Sequence, residues 1–432
     1  MSSHAVSIED LPPKGEKVDV TKMSKALSIL PLVGAGGLLL SAIIFFTPGA
    51  KSYAYSWLFA FYFFFTIACG GFFWTMLHHA SNSGWGVAIR RVMEHLASML
   101  PILFVIALPI VILPQAREAL YEWMVQLRET KAAHPDIPIK DALMKEHHAL
   151  LAHKHAYLNL PFFFIRFLFY ALILGGGALL FKWLSTRQDQ VGGVKITFLT
   201  RRISCGMILF FAISVTFMAF DYLMGLNYIW FSTMWGVYLF AGSAVSGMAV
   251  IILTISGLRN LGYLREVVSK EHYHIMGKLL KAFVIFWAYI SFSQFFLYWY
   301  ANITEETQFF IMRNTGPWYP LSLFIVFGHF VLPFLFLLRQ RAKKDLKQIN
   351  AAACWILFVH LLDIYWIVIP ERGPSLTGGE QMTLGALAFL GDIIAYVTVG
   401  AIILYFYLRT IGKHSIYPCR DPRLVESVNL LN

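Results

Sequence analysis

Long apolar runs separated by short polar joints dominate the chain. A helix needs about 20 apolar residues, at 1.5 Å each, to cross a bilayer. Runs of about that length occur ten times, near 26–46, 54–77, 87–113, 157–182, 203–224, 231–258, 276–300, 319–338, 352–369 and 384–408. The pattern therefore predicts an all-α polytopic membrane protein with ten transmembrane helices.

The basic residues of the joints predict the orientation. When the joints are assigned alternately to two sides, one side holds both termini and 25 of the 35 Lys and Arg residues, and the other holds 9. Because basic residues concentrate on the cytoplasmic side, we expect both termini in the cytoplasm. An odd number of spans would destroy this asymmetry.

The composition excludes an ordinary soluble domain. Hydrophobic residues make up 58% of the chain and charged residues 14%, whereas globular proteins have about 45–50% and 25%. Lipid must therefore be the solvent for most of the surface. The net charge of +11 follows from the basic joints, so it does not indicate a nucleic-acid partner.

The four cysteines carry no cofactor motif. None lies in a CxxC or CxxCH arrangement, which excludes covalent haem and a Cys-ligated iron–sulfur centre in this chain. We also expect no cleavable signal peptide, because the first apolar run is longer than a signal-peptide core.

A weak internal repeat relates runs two and six. At an offset of 176, six residues of 56–77 match six of 232–253: Ser56, Tyr62, Phe64, Ala68, Gly71 and Leu77 match Ser232, Tyr238, Phe240, Ala244, Gly247 and Leu253. Small residues recur in both runs, where close helix contact is expected. The repeat predicts two four-helix bundles, helices 2–5 and 6–9, flanked by helices 1 and 10.

These boundaries divide the chain into six parts. They are a cytoplasmic N-terminal segment (1–25), the first helix (26–53), the first bundle (54–230), the second bundle (231–370), the last helix (371–410) and a cytoplasmic tail (411–432).

The first bundle contains an insertion at 114–157 on the outer side. Leu120, Trp123, Met124 and Leu127 share one helical face, and two prolines interrupt the pattern before it resumes. This predicts a pair of amphipathic helices that lie on the membrane or under a partner protein. The irregular spacing of its histidines, His147, His148, His153 and His155, favours a solvated face over a metal site.

Ionisable residues inside the apolar runs are candidates for function, because each costs about 2.5–3.5 kcal/mol at the bilayer centre. In the first half they are His78, His79, Glu94, His95, Arg166 and Asp221. In the second half they are His329, His360 and Asp363, while Asp392 stands apart. His360 and Asp363 share one helix face at i, i+3.

Three interpretations of these groups stay open. They are interhelical hydrogen bonds with an Arg–Asp pair, haem ligation by His329 and His360, or a proton path. In the path, His78, His79, Glu94 and His95 open from the cytoplasm and His329, His360 and Asp363 form a central relay. A histidine next to a carboxylate can pass a proton near neutral pH.

Quinone is a second candidate ligand, since an apolar slot with a few polar groups would hold it. Four aromatic residues near the outer interface are candidates to line such a slot: Tyr228, Trp230, Trp299 and Tyr300. The alternative is an aromatic belt at the membrane surface.

Several motifs resemble one known family. They are FSTMWGVYLFAGSAVSG (231–247), GKLLKAFVIFWAYISFSQFFLYWYANITEE (277–306), LNLPFFFIR (158–166) and the HxxDxYW pattern that begins at His360. The chain resembles the ActF membrane subunit of bacterial alternative complex III, from the first run to the tenth. It departs from the family at 227–230, where Asn-Tyr-Ile-Trp replaces the usual Pro before Trp.

The resemblance implies an NrfD-like fold and a place in a respiratory quinol:cytochrome c oxidoreductase of the bacterial inner membrane. It implies as partners a sister NrfD-like membrane subunit, an iron–sulfur protein, and multihaem and monohaem cytochromes c. Haem c and iron–sulfur clusters would belong to those partners, and this subunit would hold no cofactor except possible quinone or menaquinone. The role carried over to Arg166, Asp221, His329, His360 and Asp363 is a proton path, or structural support.

Other functions fit the sequence less specifically. The chain could bind quinol itself, work as a stand-alone secondary transporter, or serve as a scaffold for peripheral subunits.

Overall fold

The computed structural model describes residues 11–373 and 385–431, which are helical and contain no strand. Ten helices in this part of the chain are long and apolar enough to cross a membrane, as predicted. Numbered as spans 1 to 10, they are Val20–Phe45, Ala50–Ala80, Val87–Ile112, Leu160–Val191, Lys195–Leu226, Trp235–Asn260, Lys270–Ala301, Gly316–Leu338, Leu346–Arg372 and Ala386–Ile411. The predicted N-terminal segment and last helix lie partly outside the described residues.

Polar residues cap several spans at the membrane surface. Asn159 accepts a hydrogen bond from the Phe162 amide at the start of span 4. Ser269 begins span 7 in a capping box, and Asp345 accepts from two amides at the start of span 9. Such caps satisfy amide groups that have no partner inside the helix. They fix where each helix begins.

Span 2 lies at the centre of the protein. In the most apolar 18 residues of span 2, 94% of the residues are buried, whereas in the corresponding part of span 1 only 11% are. Its closest approach is to span 6, where a Cβ added to Gly247 would lie 2.7 Å from the Gly70 carbonyl carbon. Only glycines allow these two backbones to touch. The contact falls on the small residues that the repeat placed in both helices.

Neighbouring spans contact one another in two closed series. In the first series, spans 2 and 4 each contact spans 3 and 5. In the second series, spans 6 and 8 each contact spans 7 and 9. Span 10 packs on spans 1 and 2. These contacts agree with the predicted grouping, although the division into two bundles stays a prediction.

Spans 4 and 8 share an irregularity. Each contains one six-residue π-helical segment, Ala171–Gly176 in span 4 and Val326–Val331 in span 8. These spans occupy the same place in the two predicted repeats. A π segment inserts an extra residue into a helix turn and occurs often at functional sites.

The insertion at 114–157 differs from its prediction. It forms four short helices instead of two: Pro114–Leu120, Glu122–Ala133, Ile139–Lys145 and Ala149–Lys154. Leu120 and Trp123 are buried by the chain itself, with the Trp123 ring against Phe163 of span 4. The apolar face therefore packs on the spans and is not left for a membrane or a partner.

Both ends of the described chain meet on one face of the protein, called here the terminal face. Lys17 forms an antiparallel bridge with Ser415, and the Ile416 amide donates to the Glu16 carbonyl at 2.8 Å. The tail continues across this face, where the Arg420 guanidinium donates to the Gln190 carbonyl at 2.9 Å. The other side of the membrane is called the opposite face.

Candidate functional site

A buried cluster in the second half brings three of the predicted residues together. His329 comes from the π segment of span 8, and His360 and Asp363 come from one face of span 9. All three side chains are almost fully buried. His329 Nδ1 lies 3.8 Å from Asp363 Oδ2, and the centroids of the two imidazole rings are 6.0 Å apart. We call these residues, with Tyr238 and Thr66, the central cluster.

Tyr238 and Thr66 were missed by the sequence analysis. The Tyr238 hydroxyl on span 6 donates a short hydrogen bond to Asp363 Oδ1. Thr66 Oγ1 on span 2 lies 2.9 Å from His360 Nε2. The sequence did single out Tyr238, because it is one of the residues of the internal repeat. Nothing singled out Thr66, because a threonine can satisfy its hydroxyl within its own helix.

The Thr66 hydroxyl decides the tautomer of His360. It has a single proton, which it donates to the Phe63 carbonyl at 2.8 Å. Its oxygen must then accept from His360 Nε2–H, so we assign the Nε2-protonated form. His360 Nδ1 is left as an unprotonated nitrogen without a hydrogen-bond partner. Within the described residues it is free to accept a hydrogen bond.

Further polar atoms of the central cluster are buried without a partner. Both nitrogens of His329, whose ring centroid lies 3.9 Å from that of Trp287, lack a hydrogen-bond partner within the described residues. An unmet buried polar group costs about 1–3 kcal/mol. Such groups persist in native structures where water, an ion or a function accounts for them. The unmet atoms of the cluster are available for a water or a further hydrogen bond.

Gly242 of span 6 makes room for this arrangement. A Cβ added to it would lie 3.0 Å from His360 Cε1. The π segment of span 8 brings His329 to the other side of the same space, where Trp287 covers its ring. Because Trp287 covers one ring and Thr66 holds Nε2 of the other, the two histidines are not arranged around an open slot for a haem.

The first half contains a charged pair of a different kind. Arg166 binds Asp221 through two hydrogen bonds, Nε to Oδ2 and Nη2 to Oδ1, both 2.8 Å long. Tyr170 donates to the same carboxylate at 2.6 Å, and the Tyr157 carbonyl accepts from Arg166 at 2.8 Å. A bidentate arginine holds the carboxylate in one orientation. This pair joins spans 4 and 5, and three hydrogen bonds from Arg166 and Tyr170 hold its carboxylate. Its place in a proton path stays a prediction.

Glu94 lies in an ion-pair network near the terminal face. Arg90 and Arg91 of the same helix hold its two oxygens at 3.2 and 3.1 Å. Arg90 also binds Asp421 of the tail, and Arg91 binds Asp189 of span 4, both at 2.8 Å. The i, i+3 and i, i+4 spacing of these arginines was readable from the sequence. The two arginines thus hold Glu94 in place within span 3.

The three histidines near Glu94 are buried, and most of their nitrogens have no partner. His78 stacks edge-on against Trp85, and His79 lies beside Phe181. His78 and His79 line a small cleft that also includes Arg201. His79 and Thr66 lie on the same helix thirteen residues apart, which is about 20 Å along its axis. The terminal-face histidines and the central cluster are therefore separate groups.

Asp392 does not stand apart as the sequence suggested. Arg372, at the end of span 9, binds both of its oxygens at 2.8 and 2.9 Å. Ser56 and Tyr365 donate to the same carboxylate at 2.6 and 2.9 Å. The four residues fasten span 10 to spans 2 and 9 near the opposite face. The sequence hid this pairing, because nothing in spacing connects the two residues.

The four aromatic candidates for a quinone slot do not line one space. Trp230 is buried and stacks on Phe309 at 4.2 Å between centroids. Tyr228 is half-buried and donates to Gln126. Trp299 and Tyr300 are 66% and 77% exposed, on the surface of span 7. Only the last two have the exposure that an aromatic belt requires.

Metal binding gains no support from the described residues, which contain no group of three or more His, Cys, Asp or Glu side chains that could hold an ion. The histidines of the insertion agree with this, since His134 pairs with Glu146 at 2.8 Å instead of joining the others.

Fold and site together define a multi-pass α-helical membrane protein with a buried His–Asp–Tyr cluster among its spans. No protein-family model and no curated protein sequence matches the chain.

Proposed function

We propose that the chain is an ActF-type integral membrane subunit of a respiratory quinol:cytochrome c oxidoreductase, alternative complex III. In this assignment it carries no redox centre, docks the other subunits and provides a proton path. The motifs in runs four, six, seven and nine support the family. The observation that carries the proton path is the contact between His329 and Asp363, a buried acid and base without a fixed cation between them.

The proton moves through the central cluster without any change of oxidation state. Tyr238 orients the Asp363 carboxyl by its hydrogen bond to Oδ1, which leaves Oδ2 facing His329 Nδ1 at 3.8 Å. A closure of about 1 Å, or one bridging water, makes this a hydrogen bond along which a proton transfers. His360 Nδ1 is the next acceptor, and Thr66 holds its ring in place.

The charge asymmetry supports an orientation in the membrane. The face with 25 of the 35 basic residues is the terminal face, and we assign it to the cytoplasm of a bacterial inner membrane. The partly unpaired histidines His78, His79 and His95 form the entry from that side. Glu94 lies beside them, held by two arginines. The cytochromes c dock on the opposite face.

Gentle purification with a visible spectrum tests membership in the complex. We expect the chain to co-purify with c-type haem that belongs to partner subunits. A colourless single subunit would instead favour a stand-alone secondary transporter.

His360→Ala and Asp363→Asn test the role within the complex. We expect both variants to assemble and to bind quinone as the wild type does, because the cluster handles protons only. Loss of quinone binding in either variant, with the sister subunit intact, would replace the proton path with a quinol site in this subunit.

A further inference from the structure

An apolar groove lies on the lipid-facing surface between spans 3 and 4. Its volume is about 300 Å³, at the lower end of the range for ligand pockets. Phe104 and Phe167 form its buried floor, whereas Val105 and Leu179 at its edge are 63% and 49% exposed. The groove is therefore open to the hydrocarbon of the membrane.

The π segment of span 4 creates this space. Two groove residues, Gly175 and Gly176, end that segment and have no side chain to fill it. A Cβ added to Gly176 would meet only Leu172 of its own helix, at 3.7 Å. A site lined by apolar groups does not hold ordered water. Its natural occupant in a membrane is a hydrocarbon chain.

A lysine lies at the end of the groove nearer the terminal face. Lys182 is three residues beyond Leu179 on the same helix, which places both on one helical face. Its Nζ donates to Ser98 Oγ at 3.0 Å, and Ser98 precedes Pro101 of the groove. Within the described residues no carboxylate lies at ion-pair distance from Nζ. Lys182 thus has two further N–H groups to donate.

Lys182 lies at a depth in the membrane where a lipid headgroup can reach it. Span 4 has 32 residues, or about 48 Å of helix, against about 30 Å of hydrocarbon. Lys182 is nine residues from the end of the span, about 14 Å along the axis. With its ammonium hydrogen-bonded to Ser98, Lys182 lies near the boundary between acyl chains and headgroups, where a lipid phosphate can approach it.

We propose that spans 3 and 4 form a binding site for one anionic phospholipid. Its acyl chain fills the groove over Gly175 and Gly176, and its phosphate accepts hydrogen bonds from Lys182. Basic groups between transmembrane helices recognise anionic headgroups in this way. This site is independent of the central cluster and of the proposed function.

Native mass spectrometry of the purified full chain with added lipids tests the site. The probes are phosphatidylglycerol, phosphatidylcholine with the same acyl chains, and ubiquinone. We expect one phosphatidylglycerol to bind about fivefold more tightly than phosphatidylcholine, since one lysine near a membrane surface contributes about that factor. Equal binding of the two lipids, or displacement of phosphatidylglycerol by ubiquinone, would overturn the proposal.

Two variants, each with a matched control, separate the contribution of the lipid headgroup from that of its acyl chain. Lys182→Gln should remove the preference for phosphatidylglycerol, while Lys25→Gln, at an exposed position of span 1, should keep it. Gly176→Leu should weaken the binding of both lipids. Gly206→Leu, where a Cβ meets nothing within 4 Å, should change the binding of neither. If Gly176→Leu does not fold, Ala171→Leu on the same groove replaces it. Wild-type lipid binding in Lys182→Gln would refute the site.

Discussion

His329 Nδ1 faces Asp363 Oδ2 across 3.8 Å, too far for a direct hydrogen bond and close enough for one water or a small movement to join them. No arginine or lysine within the described residues binds this carboxylate. A carboxylate that no fixed cation holds can change its protonation at modest cost. This distinguishes Asp363 from the other buried carboxylates with arginine partners.

The two halves of the chain therefore use their buried acids differently. Arg166 and Asp221 form a bidentate ion pair between spans 4 and 5. Between spans 8 and 9, Asp363 instead lies opposite a histidine, His329, which carries no fixed charge. The shared π segments of spans 4 and 8 agree with a common origin of the halves.

Removing the charge of each carboxylate should separate these roles. Asp221→Asn leaves Arg166 buried and unpaired, so we expect a loss of about 3–5 kcal/mol in the free energy of unfolding. Asp363→Asn leaves no such cation and keeps an oxygen for Tyr238, so we expect a loss of about 1 kcal/mol or less. Thermal unfolding in detergent, followed by tryptophan fluorescence, measures both. Equal losses would contradict the distinction.

Span 10 should depend on its ion pair with span 9. Asp392→Ala leaves Arg372 buried without its partner, which should cost about 3–5 kcal/mol. The double variant Arg372→Met/Asp392→Leu should recover most of this loss, because neither charge then remains buried. Arg128→Gln is the control: its pair with Glu118 is exposed, and its loss should change stability by about 0.5 kcal/mol or less. A double variant as unstable as Asp392→Ala would show that the pair is not the cause.

The contact between spans 2 and 6 should tolerate no side chain. In Gly247→Ala, the new Cβ would lie 2.7 Å from the backbone of Gly70, so the helices must move apart at a cost of about 1–3 kcal/mol. Gly257→Ala is the matched control in the same helix, where a Cβ meets nothing within 4 Å. We expect it to be neutral or slightly stabilising. Similar unfolding temperatures for the two variants would disprove the close contact.

The spans could be predicted from the sequence because lipid permits few solutions. A chain crossing hydrocarbon must satisfy its backbone within each helix, so apolar length alone locates the spans. Their ends were less predictable. Run four was expected at 157–182, yet the helix continues to Val191, because a polar helix can extend into water beyond the membrane.

The partners of the buried polar groups were harder to predict than the groups themselves. Asp363 was conspicuous because a carboxylate is costly in an apolar run. The hydroxyl of Thr66 costs little there and gave no indication, and only the internal repeat singled out Tyr238. Arg372 falls between the predicted runs 352–369 and 384–408, and its contact with Asp392 depends on how span 10 folds back. The π segment that brings His329 to the cluster left no recognisable pattern in the sequence.

Proton uptake per electron, measured on the intact complex in sealed vesicles during quinol oxidation, tests the central claim most directly. Asp363→Asn removes the carboxyl that faces His329, whereas Tyr170→Phe removes a buried hydroxyl from the arginine-held Asp221 and serves as the matched control. We predict that Asp363→Asn lowers the uptake per electron while Tyr170→Phe leaves it at the wild-type value. An unchanged stoichiometry in Asp363→Asn would contradict the proton path and leave the chain as a scaffold.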